Sequence, residues 1–287
     1  MTSRNPYLLI FIAILCVSTA SIMVRFTTAP PLVIAFYRLS LTALLGGCLM
    51  AGTKQSWPAR WSDMPRAGLA GFFLALHFAF WISSLSYTSV ASSVLFTNLQ
   101  VIFVIIFSRL ILKERVNRSA MLGVAVALAG SAVIGGGDLF SGRLWGDLLA
   151  LISGFLFAVY LMIGRSIRDK IEIWPYTVMI SGIAGIILAI AVTVSNLSFG
   201  GYPALDYVWF LLMALLPGIG GHGILNWALK YVKAPVVAIS ILGESVGASI
   251  LGYFLLHESL AWFQLLGGAM ILFGIYWAVR HEATSRR

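Results

Sequence analysis

Ten apolar stretches, each about long enough to cross a bilayer, follow one another along this chain and take up most of its 287 residues. A bilayer core about 30 Å thick needs about 20 apolar residues per helical crossing, whereas transmembrane β-strands are shorter and alternate in polarity. We therefore predict an all-α integral membrane protein with ten transmembrane helices. The predicted spans are residues 7–24, 32–51, 67–85, 90–112, 121–136, 144–164, 174–195, 208–229, 236–256 and 262–279.

Composition and charge placement agree with this class and predict an orientation. Hydrophobic residues make up 60% of the chain, and the net charge is +9. If the N-terminus is cytoplasmic, nearly all basic residues outside the spans face the cytoplasm and only Arg25 and Arg143 face outward, which is the positive-inside pattern. We expect a multi-pass protein of the inner membrane with both termini cytoplasmic and the first span retained. The basic excess then faces lipid headgroups, and no nucleic-acid partner is expected.

The two halves of the chain share a sequence pattern. A shift of 144 residues aligns a Leu-x-Glu…Gly…Gly run in the first half with one in the second. The aligned pairs include Leu112 with Leu256, Glu114 with Glu258, Gly123 with Gly267, and Gly130 with Gly274. We predict two repeats, residues 1–138 and 139–287, of five spans each. Because five is odd, the repeats are inverted, with Glu114 near the inner face and Glu258 near the outer face. Alternating-access transporters have this architecture.

Segments of both repeats also resemble a known family. The segments are residues 112–115 with 122–123, and residues 256–260 with 264–267. They resemble the paired Leu-x-Glu…x-Leu-Gly signatures of EamA-type domains in the drug/metabolite transporter superfamily, and Arg38 resembles that family's second-helix arginine. Gln100 and Glu244 depart from the pattern, since many members carry proline at both positions. The resemblance covers essentially the whole chain and implies an exporter of amino acids and related metabolites, most similar to the aromatic amino acid exporter branch.

Polar side chains inside the predicted spans are candidates for the site, because such groups are costly in hydrocarbon unless they serve a function or an internal contact. His77 and Trp81 lie four residues apart and so share one helix face. The other interpretation of His77 is a packed histidine bonded to a neighbouring helix. The residues predicted to line the substrate path are His77, Trp81, Phe96, Gln100, Phe157, Tyr160, Gly218, Gly221, His222 and Asn226.

The eighth span contains a proline and glycine run at residues 217–223. Proline removes a backbone donor and glycine weakens a helix, so we expect a local break there. A break that faces a cavity exposes backbone groups to a zwitterionic or charged ligand. The alternative is close helix packing through small residues.

Arg38 and Glu244 are the charged residues placed well inside a span, and the sequence allows two roles for them. They form a buried structural pair, or Glu244 takes up and releases a proton during transport. Removing one partner of a truly buried pair is strongly destabilising. The two roles therefore differ in what a Glu244→Gln change does to stability.

Three classes of function fit a polytopic helical protein. A transporter is favoured by the inverted repeat. An intramembrane enzyme is less well supported, because the sequence has no zinc-protease or nucleophile-elbow motif. A passive channel is disfavoured, because channels usually form their pore from several subunits. Cys16 and Cys48 show no disulfide or metal-binding spacing, and we expect no cofactor.

The sparse charge of the spans limits the substrate. No lysine lies within a span, so a strongly anionic substrate lacks an obvious partner, and a multivalent cation would find a single carboxylate, Glu244, well inside a span. We predict a small, mostly neutral or zwitterionic metabolite, with aromatic or other neutral amino acids as the main candidates. Other small metabolites or drugs transported within the same superfamily are the alternative. No ATP-binding loop is present, so an ion gradient or the substrate gradient drives transport.

Overall fold

A computed structural model describes residues 5–57, 63–114, 116–135, 143–255 and 262–284, and these residues form helices joined by short connections. Within these described ranges, nine helices are long and apolar enough to cross a membrane, and a tenth apolar helix is slightly shorter. The helices are α1 (Pro6–Arg25), α2 (Pro31–Thr53), α3 (Met64–Ser84), α4 (Val90–Leu110), α5 (Arg118–Gly135), α6 (Leu144–Ile167), α7 (Ile173–Val194), α8 (Ala204–Ala228), α9 (Ala234–Leu255) and α10 (Trp262–Thr284). The predicted all-α fold with ten membrane helices is confirmed.

Several helix starts can be traced to residues that favour them. Proline occupies the first turn of α1, α2, α3 and α9, where its missing N–H leaves no hydrogen bond unmade. The Asn5 side chain caps α1 by accepting a hydrogen bond from the Tyr7 amide at 3.1 Å, and Ser89 caps α4 in the same way from Ser92. At the end of α2, Lys54 adopts a left-handed conformation with φ of 53°, which stops the helix.

Helices α5 and α10 pack with their backbones in direct contact through glycines. A Cβ atom placed on Gly123 would lie 2.6 Å from the Gly274 carbonyl oxygen, and one placed on Gly130 would lie 2.6 Å from that of Gly267. Residue numbers increase along one helix where they decrease along the other, so the two helices are antiparallel. In the sequence repeat Gly123 corresponds to Gly267 and Gly130 to Gly274. In the structure each glycine instead contacts the counterpart of the other, Gly123 with Gly274 and Gly130 with Gly267. An axis perpendicular to the helices therefore relates the halves, which confirms the inverted repeat.

The remaining contacts follow the same symmetry and leave a site in the middle. Equivalent helices α2 and α7 pack against each other, α3 packs on α6, and its counterpart α8 packs on α1. Helices α4 and α9 also contact each other near their midpoints. Seven helices (α1, α2, α3, α4, α6, α8 and α9) thus surround the centre. The predicted repeat boundary at residues 138 and 139, and Glu258, lie outside the described residues.

Helix α8 corrects one sequence prediction. The expected break at residues 217–223 is absent, because Ala214–Gly223 forms continuous π-helical turns. Pro217 has no N–H, and in an α-helix its ring would clash with the carbonyl of Met213, four residues earlier. The wider turn, which bonds residues five apart, accommodates proline while the helix continues. The sequence correctly located the irregularity, but a break was the wrong form for it.

Equivalent helices α4 and α9 are each interrupted once, near the membrane midplane. Leu99 separates the segments Val90–Asn98 and Gln100–Leu110, and Leu242 separates Ala234–Ile241 from Gly243–Leu255. At both residues the amide bonds the carbonyl three residues earlier, at 3.3 Å for Leu99 and 3.1 Å for Leu242, which is a tighter turn than an α-helix makes. These tight turns lie directly beside the polar residues of both helices.

Candidate substrate cavity between the repeats

A cavity of about 30 Å³ lies at the centre of the molecule, where helices of both repeats meet. This volume holds a water molecule or two and is too small for an amino acid in the present conformation. The predicted site residues that line it are Arg38, His77, Trp81, Gln100, Phe157, His222 and Glu244.

A second cavity of about 10 Å³ adjoins the first, and Arg38 and His222 line both. The predicted residues Tyr160, Gly218 and Asn226 line this smaller cavity. The Tyr160 hydroxyl donates a hydrogen bond to the side-chain oxygen of Asn226. This group of predicted residues therefore lies together, on the side of the site formed by α2, α6 and α8.

Phe96 and Gly221 lie away from both cavities. Phe96 is partly exposed on α4 and lines neither cavity. A Cβ atom on Gly221 would lie 2.5 Å from the Val17 side chain, so this glycine permits close packing of α8 on α1. For Gly221 the structure therefore has the close packing that the sequence left open as an alternative.

Arg38 is the central cation of the site. It is 1% exposed, and its Nε and Nη1 atoms have no hydrogen-bond partner. Its guanidinium carbon lies 4.3 Å from the ring centre of Phe78 and 5.7 Å from that of Trp81, so two aromatic faces stabilise the charge. Among the ion pairs of the described residues, none joins Arg38 to Glu244 within 4.0 Å.

His77 both lines the cavity and is held by a neighbouring helix. Its Nδ1 atom lies 2.8 Å from the Ser153 hydroxyl and 3.1 Å from the Ser153 carbonyl oxygen on α6. Its ring centre lies 4.6 Å from that of Phe157. The structure therefore has the packed histidine bonded to a neighbouring helix, and it also places His77 in the cavity lining, where a role in binding stays a prediction.

Phe78 is a site residue that the sequence prediction missed. Its ring contacts His77 at 4.7 Å and His222 at 5.3 Å between ring centres, besides contacting Arg38. It lies three residues before Trp81, so the helical spacing places both rings on one face. Phenylalanine is abundant in this chain, and for that reason its presence alone did not mark a site.

Helices α4 and α9 also contribute polar residues to the cavity lining. The Gln100 Oε1 atom is buried without a hydrogen-bond partner among the described residues. Asn98 donates a hydrogen bond to the Ser245 hydroxyl at 2.9 Å and so ties the two helices together. Glu244 lines the same cavity and is partly exposed. The lining residues therefore include a donor, Arg38, and acceptors, Gln100 and Glu244.

Contacts between the repeats close the face at which α1 begins and α10 ends, which we call the terminal face. Glu114 of the first repeat forms an ion pair with Arg165 of the second, with 2.8 Å between Oε1 and Nη2. Arg165 also donates a hydrogen bond to the Leu229 carbonyl at 2.7 Å. Asp63 and Lys170 lie 3.5 Å apart across the same face. The Leu-x-Glu motif of the first repeat thus supplies an inter-repeat ion pair.

Neutral donors and acidic side chains join the repeats at the opposite face. The Thr88 hydroxyl donates to Asp147 at 2.8 Å, and the Thr28 hydroxyl donates to Asp206, also at 2.8 Å. Tyr37 donates to the Phe199 carbonyl at 2.6 Å. Contacts between the repeats are therefore present at both faces, on either side of the central cavity.

Two inverted repeats with a polar cavity between them are an architecture found in membrane transporters. The model of the EamA-like transporter family matches residues 4–136 and again residues 144–280. The chain therefore belongs to the EamA-like transporter family, whose members transport small molecules.

Individual relatives agree with this family. An uncharacterized transporter of Archaeoglobus fulgidus is 27% identical over 274 residues, which are 94% of this chain and 95% of that protein. The uncharacterized transporter YcxC of Bacillus subtilis is 26% identical over 219 residues, which are 72% and 70% of the two chains. One solved crystal structure superposes with a TM-score of 0.82 over 99% of this chain and 100% of that chain at 18% identity, which shows a shared fold.

Proposed function

We propose that this protein is a secondary transporter that exports amino acids, aromatic or other neutral ones, and related small metabolites across the inner membrane by alternating access. The observation that carries the proposal is the central cavity, which helices of both repeats line and which inter-repeat contacts enclose at both faces. In an inverted-repeat transporter the substrate site lies between the repeats near the midplane.

The lining supports a small substrate without net charge. One cation, Arg38, and one acidic residue, Glu244, face the same space, so the wall offers no excess of either sign to a multiply charged ligand. Aromatic rings of Phe78, Phe157 and Trp81 supply apolar surface for a side chain. Polar groups that fix orientation within mostly apolar walls are the usual composition of a small-molecule site.

The cavity has to widen before it can hold such a substrate. The tight turns at Leu99 and Leu242 and the π-helical turns of α8 are places where the helices depart from regular geometry beside the site. Helices that depart from regular geometry near the midplane are the usual elements of a transporter site. We infer that α4, α8 and α9 move when one face opens.

Substrate counterflow in proteoliposomes tests the proposal. Vesicles loaded with an unlabelled amino acid are diluted into the labelled one, and a panel of aromatic, aliphatic, polar and charged amino acids is compared. We expect saturable counterflow for aromatic or other neutral amino acids. Counterflow confined to unrelated metabolites would refute the amino acid assignment and leave the protein a transporter of another small molecule.

A further inference from the structure

Two residues that line the cavity, Arg38 and Gln100, carry buried polar atoms without a hydrogen-bond partner among the described residues. These atoms are the Nε and Nη1 donors of Arg38 and the Oε1 acceptor of Gln100. Most buried polar groups in folded proteins are hydrogen-bonded, and each exception calls for an explanation. Here the exceptions have opposite hydrogen-bonding character and belong to residues that line the same cavity.

The surroundings of Arg38 leave a defined approach for a ligand. The rings of Phe78 and Trp81 lie within cation–π distance of the guanidinium and cannot satisfy its N–H groups, which point along its edge. Glu244 lines the cavity but makes no ion pair with Arg38 within 4.0 Å among the described residues. A guanidinium forms strong charge-assisted hydrogen bonds with a carboxylate, so a carboxylate is a ligand group that Arg38 can bind.

We propose that Arg38 binds the carboxylate of the transported substrate while Gln100 and Glu244 receive its ammonium group, so that the cavity selects zwitterions over amines and carboxylic acids of the same size. This inference rests on the proposed function, since it concerns the substrate of that same site. It assigns Arg38 and Gln100 to specificity.

Charge balance explains the preference for a zwitterion. When Glu244 is ionised, Arg38 and Glu244 together contribute no net charge to the cavity, and a zwitterion preserves that balance. A simple amine of the same size places a cation beside Arg38, and a simple acid places an anion beside Glu244 and Gln100. Each analogue also leaves one set of buried partners unsatisfied. Sites built to hydrogen-bond a substrate group reject analogues that lack the group far better than they reject small changes in apolar shape.

Inhibition of counterflow by matched analogues tests the inference. The labelled probe is L-phenylalanine, and the competitors are unlabelled L-phenylalanine, 2-phenylethylamine and 3-phenylpropionate. We expect the amine and the acid to inhibit the parent protein at least about tenfold more weakly than the amino acid. If L-phenylalanine itself gives no counterflow, the most active amino acid of the panel replaces it together with its own amine and acid.

Two variants separate the two ends of the site. In Arg38→Gln the affinity for the amino acid should fall at least about tenfold, and its advantage over the amine should disappear. In Gln100→Leu the advantage over the acid should shrink, because the acceptor near the ammonium group is lost. Arg66→Gln is the matched control, since the Arg66 side chain is 58% exposed, and it should preserve the parent order of inhibition.

The outcomes discriminate between the inferences. Strong inhibition of the parent protein by 2-phenylethylamine or 3-phenylpropionate would overturn zwitterion selection while amino acid transport stands. A folded Arg38→Gln protein with the parent order of inhibition would overturn the role of Arg38. If that variant does not fold, the parent order in Gln100→Leu overturns the inference, and a reduced advantage over the acid supports it. Counterflow with no amino acid at all would remove the proposed function and this inference with it.

Discussion

The α5–α10 interface and the central cavity both join the two repeats, but they are made of opposite kinds of residue. At the interface, Gly123 and Gly130 bring the backbones of two helices into contact with their counterparts. In the cavity, Arg38 and Gln100 keep buried polar atoms without partners. The packing of the interface needs no further group, whereas the polar atoms of the cavity residues need a ligand or water as their hydrogen-bond partner.

The difference has a physical basis in the bilayer. Lipid tails are as apolar as side chains, so helices associate through close packing and hydrogen bonds instead of hydrophobic burial. A glycine interface gains dispersion contacts over its whole length and loses them when it opens. We therefore expect α5 and α10 to remain packed during transport, while the helices around the cavity rearrange.

The largest effect is expected where the interface has no spare space. Gly130→Leu forces a side chain against the Gly267 backbone and should destabilise the protein by about 1–3 kcal/mol or more. The measurement is the melting of monodisperse protein in detergent, followed by size exclusion after heating. Gly52→Leu is the matched control, because a Cβ atom at Gly52 meets nothing within 4 Å. Equal melting temperatures of the two variants would show that α5 and α10 are packed less closely than in the structure.

A large loss of transport with a smaller loss of stability is expected at Trp81. Trp81→Ala removes an aromatic surface of the cavity that also contacts Arg38, and counterflow per folded molecule should fall about tenfold or more. Trp262→Ala, which removes a ring that is 74% exposed, should leave counterflow near the parent rate. Phe107 is a less suitable control, because its ring packs against Phe155. Equal rates in the two tryptophan variants would place the substrate path elsewhere.

Glu244 distinguishes a proton-coupled cavity from a structural ion pair. If Glu244 carries the coupling proton, Glu244→Gln should abolish the dependence of flux on a pH gradient while substrate exchange persists. If it stabilises Arg38, the same change should cost about 3–5 kcal/mol, and adding Arg38→Met should restore much of it. Because no ion pair within 4.0 Å joins the two described residues, we expect the first result. Unchanged stability together with unchanged flux at every pH would contradict both roles.

The smallest perturbation tests the inversion itself in the membrane. Single cysteines at residues 113–118 and 257–261, placed in a protein without Cys16 and Cys48, should react with an impermeant reagent from opposite sides. The first site should be cytoplasmic, as the positive-inside pattern predicts. The second site lies outside the described residues, so the experiment supplies information that the structure does not. Labelling of both sites from one side would contradict the predicted topology.

Much of the fold was predictable from sequence because the signals are local. Each span is recognised by its own apolar length, and the repeat by residues such as Gly123 and Gly267 that recur at a constant shift. The interruptions at Leu99 and Leu242 were not predictable, since leucine at these positions neither removes a donor nor lacks a side chain. The π-helical turns around Pro217 show the same limit, because proline marks an irregularity without specifying its form.

The candidate site was predicted in part. Polar residues of the cavity lining such as His77, Gln100 and His222 were found, because polarity inside a span is conspicuous. Phe96 was chosen on the weak ground of aromaticity and lies away from both cavities, whereas Phe78 was overlooked although its ring contacts Arg38. One aromatic residue cannot be told from another by type alone when the choice depends on which way a helix faces.

By itself the sequence determined the membrane class, the ten spans, their repetition and the family. These features depend on hydrophobic length, charge asymmetry and motif spacing, which are read along the chain without knowing how the helices pack. Tertiary structure decided which polar residues share a cavity, that Arg38 and Glu244 face it without an ion pair, and that Gly221 serves packing instead. These outcomes depend on distances and rotations between helices. Such distances arise from the close fit of many side chains at once, which no single stretch of sequence contains.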